Sequence, residues 1–436
     1  MKRFLFWLLL ITTLIVISGI IYVFLFNKKA STLIPFIFSK NPFGLASNNP
    51  NIKIPPLTTG TTSGTIYTAT SSLPKIKIKP LLYKVWNKPV AGYSFTNKTY
   101  SITSTSTNKK GAIITTRTVA TSSLLFFVEK ESGHVYVRDL QKEITYRLSN
   151  TTISGIYDAY FIDNGSEVAL RTFDRKSSTI KTLFVDIPYT EKATSSPSSL
   201  QNISYLANNI SSLVESPSKK SLIYLVKEKD GGTVYEIKKD RKVITLGNYP
   251  LSELQLSTSR NTLYATTNAS AFVSGESYTL PYLTPLYGGK TGLTTNISPD
   301  GNMLLSSMWS SSGLLTFIVS LKTGVERVLS LQTLVEKCAW NTYSLFIVCG
   351  VPETFLAPVY GLPDDWYQGA FPLKDTLHLI GVANIGESFI FDVSKEAGED
   401  VDVINTSFNT GGSLFAFINK NNSILYTLDF ERLSRP

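Results

Sequence analysis

The sequence predicts an all-β fold, a seven-bladed β-propeller of four-stranded antiparallel blades, and three observations carry that expectation. Aromatic residues make up 12% of the chain and Ser and Thr are abundant, while long amphipathic runs are few, a composition that suits strands. Turn chemistry recurs along the chain at near-equal steps. Around the best-formed turn, four short β-compatible runs fall within about forty residues, the content of one blade.

That turn is Ile297-Ser298-Pro299-Asp300-Gly301. Pro299 fixes φ for the second position of a type I turn, Ser298 and Asp300 can bond back to the local backbone, and Gly301 accepts a positive φ. Leu293 to Ile297 and Met303 to Trp309 flank it as strands, and Leu314 to Leu321 and Val325 to Leu331 complete the unit. Equivalent positions fall near Val119, Ile162, Ser216, Ser257, Asn341 and Asn409, at steps of 43, 54, 41, 41, 43 and 68 residues. Seven units follow, with a β-sandwich of coincidental turn spacing as the competing architecture.

The four residues Ser298-Pro299-Asp300-Gly301 resemble the turn of the WD40-like repeats called PD40, found in TolB-type propellers. One unit carries the full turn, so the likeness extends over the domain by periodicity. With its N-terminal apolar run and the late stretch Leu362 to Gly369, the chain also resembles a group of N-terminally anchored bacterial envelope propellers, a likeness that implies no particular activity.

Residues 1–29 read as a membrane anchor, because Phe4 to Phe26 is an uncharged run of 23 residues, enough to cross a hydrocarbon core of about 30 Å. A cleaved signal peptide would have a shorter apolar region and small residues at its cleavage site. Lys2 and Arg3 on one side and Lys28 and Lys29 on the other leave orientation nearly balanced. A three-residue tail left in the cytosol puts the bulk of the chain outside. Residues 30–73 read as a Ser/Thr/Pro-rich flexible tether, with Leu33 to Phe38 as an apolar island.

The propeller is expected over residues 74–436. Lys75 to Lys79 alternates Lys with Ile, the pattern of an edge strand whose charges discourage pairing with other chains. The last unit has strands near Asp402 to Phe408, Leu414 to Ile418 and Ile424 to Phe430 and lacks a fourth. A strand between Lys75 and Trp86 would supply it and fasten the ring shut.

The net charge of +10 includes the four basic residues beside the apolar run, and the remaining 38 basic and 32 acidic residues are scattered. No basic cluster is interleaved with aromatics, so no nucleic-acid partner is expected. The expected partners are the lipid bilayer, through the N-terminal helix, and a protein or envelope polymer.

The two cysteines, Cys338 and Cys349, flank the turn of the sixth unit. Carrying the register of the Ser298 hairpin forward by the 43-residue step sets them opposite each other, within reach of a disulfide, which suits an oxidising exterior. Two buried free thiols are the alternative.

The 68-residue step contains an insertion at residues 351–374, between the second and third strands of the sixth blade. Its Asp364, Asp365, Trp366 and Tyr367 form a candidate ligand-binding loop, two carboxylates beside two aromatics being able to hold a sugar face, a cation or an amine. Equally, the aromatics can fold inward to pin the loop while the aspartates cap a turn.

Other chemistry is thin. Gly288-Gly289-Lys290-Thr291 lacks the first glycine of a phosphate-binding loop, since position 284 is Thr284, and it leads into a strand. Ser298 to Gly301 differs from the aspartate turn of sialidases by an early glycine. No Gly-x-Ser-x-Gly or His-Glu-x-x-His occurs, and the two histidines, His134 and His378, are far apart. No catalytic residue, cofactor or metal is expected. The function expected is that of a membrane-anchored extracytoplasmic scaffold binding a protein or ligand. A carboxylate-dependent glycan-acting enzyme and a passive surface spacer are the alternatives.

Overall fold

The computed structural model describes residues 80–107, 113–189, 196–354 and 361–433. Phe4 to Phe26, the tether and Lys75 to Lys79 lie outside them. Among the described residues no helix is long and apolar enough to cross a membrane.

Seven four-stranded antiparallel sheets follow one another along the chain. The first blade holds β2 (Val90–Thr107), β3 (Ile113–Glu129), β4 (Val135–Asp139) and β5 (Ile144–Arg147), after the short β1 (Leu82–Lys84). Next come β6 (Ile156–Ile162), β7 (Glu167–Asp174), β8 (Thr179–Asp186) and β9 (Gln201–Tyr205). The third blade is β10 (Ile210–Glu215), β11 (Ser221–Glu228), β12 (Gly231–Lys238) and β13 (Val243–Tyr249). In the fourth stand β14 (Leu254–Ser259), β15 (Thr262–Thr267), β16 (Ser274–Leu280) and β17 (Thr284–Thr291). The fifth has β18 (Thr294–Ile297), β19 (Met303–Ser310), β20 (Gly313–Ser320) and β21 (Glu326–Val328). The sixth has β22 (Cys338–Trp340), β23 (Phe346–Pro352), β24 (Asp375–Gly381) and β25 (Glu387–Phe391). The seventh has β26 (Val403–Phe408), β27 (Leu414–Asn419) and β28 (Ile424–Asp429).

The ring closes as the sequence predicts. β1 pairs antiparallel with β28, Leu82 opposite Leu428 and Lys84 opposite Tyr426, and supplies the missing outer strand of the seventh blade. Each blade is buried on both faces, so its second strand reads as a continuous apolar run: Leu124 to Val128 in β3 and Leu222 to Leu225 in β11 are all buried. One apolar cluster fills each junction between neighbours. Phe126 and Val168 meet between the first two blades, for example, and Phe127 and Leu425 join the seventh to the first. Fourth strands face solvent, as in β21, where every residue is exposed.

The predicted hairpin register holds: Ile297 lies opposite Leu304, and Cys338 opposite Cys349, joined as a disulfide. Two turn positions are corrected. Ser257 lies inside β14, and its turn comes at Arg260-Asn261, because β14 continues in register to the Ser259–Thr262 pair. Val119 lies inside β3 opposite Ser101, in a hairpin paired as far as Thr107 and Ile113. One 43-residue step before Ile162 falls mid-strand here, because this hairpin is far longer than its counterparts. Val325 to Leu331 shortens to Glu326–Val328.

Candidate functional site

Strand direction alternates, so the turns after each innermost strand share one face of the ring, and the loops after each second strand share the other. The insertion follows β23, a second strand, and lies on the second face with the links between blades. Its helical turn, Asp364–Tyr367, brings the four predicted loop residues together and turns Trp366 inward. Trp366 is 2% exposed among Leu314, Leu334, Leu362 and Leu373, and its Nε1 donates to Asp402 Oδ2 at 2.8 Å. Lys420 Nζ donates to the Trp366 carbonyl at 2.7 Å and lies 4.9 Å from its ring centroid. Asp364 Oδ2 accepts from the Ala271 amide of the fourth blade at 2.6 Å, and the Tyr367 hydroxyl donates to Glu336. Asp365 packs in the same turn, where its carbonyl accepts from Ala370 N at 2.9 Å. The loop is thus tied to blades four, six and seven as a cap.

Beneath the cap lies a buried charge cluster. Lys337 Nζ, with a fully buried side chain, donates to Asp375 Oδ2 at 2.6 Å and to Asp402 Oδ1, and stands 5.1 Å from the Trp366 ring centroid. Asp375 Oδ2 also accepts from Val403 N at 2.6 Å, while its Oδ1 is buried without a hydrogen-bond partner. Burial pushes the Asp375 carboxyl up to about 6, Lys337 offsetting part of that rise and Asp402 adding to it. These three residues are 38 and 27 positions apart in sequence and converge only through the ring, so no local motif could have announced them.

The axial cavity runs along the innermost strands and reaches the opposite face. Its volume is about 510 Å³, and its lining includes Asn164, Lys219, Thr342 and Thr410, residues at or next to the turns that follow innermost strands. Gly92, Asp158 and Thr406 line it from β2, β6 and β26. The innermost strands of blades one, two, three and seven each carry a register shift, whereas those of blades four, five and six are regular. Bulges re-aim backbone and side chains, and here they fall on the strands around the cavity. Gly92 is required where β2 meets β6, since a Cβ there would come within 1.9 Å of the Ala159 carbonyl oxygen.

The cavity is polar but its charges are mostly engaged. Asp158 pairs with Arg171 at 2.9 Å, and Arg171 Nη2 also donates to the Ile210 carbonyl at 2.6 Å. Glu215 Oε1 accepts from Asp163 N at 3.0 Å, and burial raises this carboxyl above its ordinary range. Burial also pushes the Tyr160 hydroxyl up to about 12. Tyr93 ties the ring seam, its hydroxyl donating to the Ala416 carbonyl at 2.8 Å and accepting from Ser407 Oγ at 3.0 Å. Hydroxyls and amides from Ser94, Asn164, Thr342, Asn405, Thr406 and Thr410 supply the rest. Among the described residues no group of three or more His, Cys, Asp or Glu side chains could hold a metal.

No family model matches the chain, and no curated protein matches it in sequence. Solved structures that match include hydrazine synthase of Kuenenia stuttgartiensis, at 12% identity and TM-score 0.44, covering 64% of this chain and 78% of that one. The β-propeller domain of Myceliophteria thermophila Cps50 (Swd1) matches at 12% identity and TM-score 0.43, covering 76% of this chain and 99% of that one.

Proposed function

We propose that this chain is a non-enzymatic, membrane-anchored propeller of the TolB type that stands outside the cytoplasm and holds a protein or envelope-polymer partner. The partner binds at the face where the axial cavity opens. The observation that carries this reading is the contrast between the two faces: the insertion is folded inward over one, while the other keeps an open cavity lined by hydroxyls and amides. Of its two carboxylates, Asp158 is held by Arg171 and Glu215 by a backbone amide, which suits recognition better than hydrolysis by a free carboxylate pair. The uncharged run Phe4 to Phe26 supports the anchor, and the Cys338–Cys349 disulfide supports export.

The test places a photo-crosslinking residue at Thr406, in the cavity, or at Tyr205, 75% exposed on an outer strand, in intact cells. A discrete adduct at Thr406 and none at Tyr205 is expected, together with protease access to the propeller before lysis. Glycan cleavage lost in both Asp158→Asn and Glu215→Gln would overturn the non-enzymatic reading, and protection from protease until lysis would overturn the location.

A further inference from the structure

The buried cluster beneath the cap holds the parts of an amide bond. Lys337 ends the short helical turn Val335–Lys337, Asp375 opens β24 and Asp402 immediately precedes β26, so regular elements set all three side chains. Each of the three is fully buried. An ion pair so placed gains little over well-packed apolar residues, because both charges give up their hydration. This one is also incompletely paired: Asp375 Oδ1 has no hydrogen-bond partner, and a buried acceptor left bare is costly.

The two carboxylates around Lys337 differ. Asp402 uses both oxygens, Oδ1 for Lys337 Nζ and Oδ2 for Trp366 Nε1 at 2.8 Å and Leu373 N at 3.1 Å. Asp375 uses Oδ2 alone, which accepts from Lys337 Nζ and from Val403 N, each at 2.6 Å. The Asp375 carboxyl carbon therefore stands beside a lysine nitrogen, with one oxygen held by a backbone donor and the other bound to nothing.

We infer that Lys337 Nζ and Asp375 Cγ condense to an isopeptide bond within the folded protein, with Asp402 carrying the protons. Asp402 takes a proton from the Lys337 ammonium, and the freed nitrogen pair attacks Asp375 Cγ. Negative charge then develops on Oδ2, where the Val403 N–H already donates, the placement an oxyanion site requires. Two protons pass from Nζ by way of Asp402 to Oδ1, the Cγ–Oδ1 bond breaks, and one water leaves. Burial, which raises the Asp375 carboxyl, favours that protonation. Ammonium and carboxylate become amide and water, so atoms and charge balance without a co-reactant. Asp402 ends as it began, with the Lys420 charge still acting on it. Groups held in this way react with effective molarities on the order of 10⁵–10⁸ M. The product removes two buried charges and the bare oxygen together, while Oδ2, now an amide carbonyl, keeps its bond from Val403. The link joins positions 38 apart and encloses both the insertion and the disulfide, which fastens the cap. It lies on the capped face and does not depend on the cavity reading, so either can fail alone.

The experiment is mass spectrometry of the full chain with Cys338–Cys349 reduced. The parent is expected one water lighter than its sequence, and Lys337→Arg at its full sequence mass. In a tryptic digest of the parent, cleavage after Lys337 should be blocked, and the peptide that begins at Asp375 should be joined to the one that contains Lys337. Asp402→Asn should slow the loss of water at least about a hundredfold, the contribution expected of a positioned proton carrier. A buried ion pair alone would change none of these masses. A parent at full sequence mass, cleavage after Lys337, or a water loss mapped to any other pair of residues would each overturn the inference, and the parent's digest decides this without any variant having to fold.

Discussion

Replacing Trp366 separates the two roles open to the insertion. The indole is buried among four leucines, bonded through Nε1 to Asp402 and flanked by Lys337 and Lys420. Trp366→Ala removes a core-sized side chain, a change that costs about 3–5 kcal/mol where the site does not collapse. Trp366→Phe keeps most of the apolar contact but removes one of the two donors to Asp402 Oδ2, leaving only Leu373 N at 3.1 Å. Loss of a hydrogen bond to a buried charged group costs about 1.5–3 kcal/mol. Unfolding entropy for a unit of about 350 residues is roughly 0.7 kcal/mol per kelvin. The expected falls in melting temperature are therefore about 4–7 °C for Ala and about 2–4 °C for Phe. Calorimetry on the purified protein, with urea unfolding as a check, reads both. If Trp366→Ala melts within about 1 °C of the parent, the cap contributes nothing to stability and the buttress reasoning is refuted.

Three further outcomes follow from the same physics. Burial pushes the Glu167 carboxyl up to about 7, Arg241 at 3.0 Å offsetting part of this and Asp186 adding to it. A raised acid contributes stability below its unfolded pKa that is lost as pH rises through the folded value; between about pH 4.5 and 8 the parent should lose up to about 3 kcal/mol relative to Glu167→Gln, and parallel urea curves for the two would refute it. Reducing the Cys338–Cys349 bond, which spans 11 residues, should lower stability by at most about 3 kcal/mol, read as a reductant-dependent fall in melting temperature absent from the double serine variant. Deleting Leu82 to Lys84 removes the strand paired to β28 and exposes Leu428 and Tyr426, so the protein should aggregate on purification; a monomeric product with unchanged melting would show that β1 does not close the ring.

What the sequence made legible was whatever depends on local chemistry and period. Asn341 and Asn409 mark true turns because their side chains accept from amides four and five residues on, Asn341 from Leu345 and Phe346, Asn409 from Leu414. The disulfide was legible because hairpin register repeats from blade to blade. The closing strand was legible only in part: its place in the last blade was foreseen, but the strand is Leu82–Lys84, and Lys75 to Lys79 falls outside the described residues. The long hairpin is not legible from the repeat, which places a turn at Val119, where no turn residue stands and the strand continues. The seam at Tyr93 was invisible too, since it joins positions more than 300 residues apart.

These gains and losses have one cause. Seven similar sectors share a repeat, and a repeat predicts what the sectors have in common; a recognition surface depends on where they differ. In this ring the departures are few and local: a capped face held by Trp366 over Lys337, Asp375 and Asp402, bulged innermost strands in blades one, two, three and seven, and a ribbon that outruns its blade. The cap loads one face with packing and buried charge that have no use in water. The ribbon belongs to the other, where backbone is left unpaired at an energetic disadvantage that packing within the blades does not require, and the bulges lie at or near the starts of the innermost strands that line the cavity. Features of that kind persist where something outside the ring meets them. The cavity face is therefore where a partner should be sought, and the capped face is where mutations should be felt as stability.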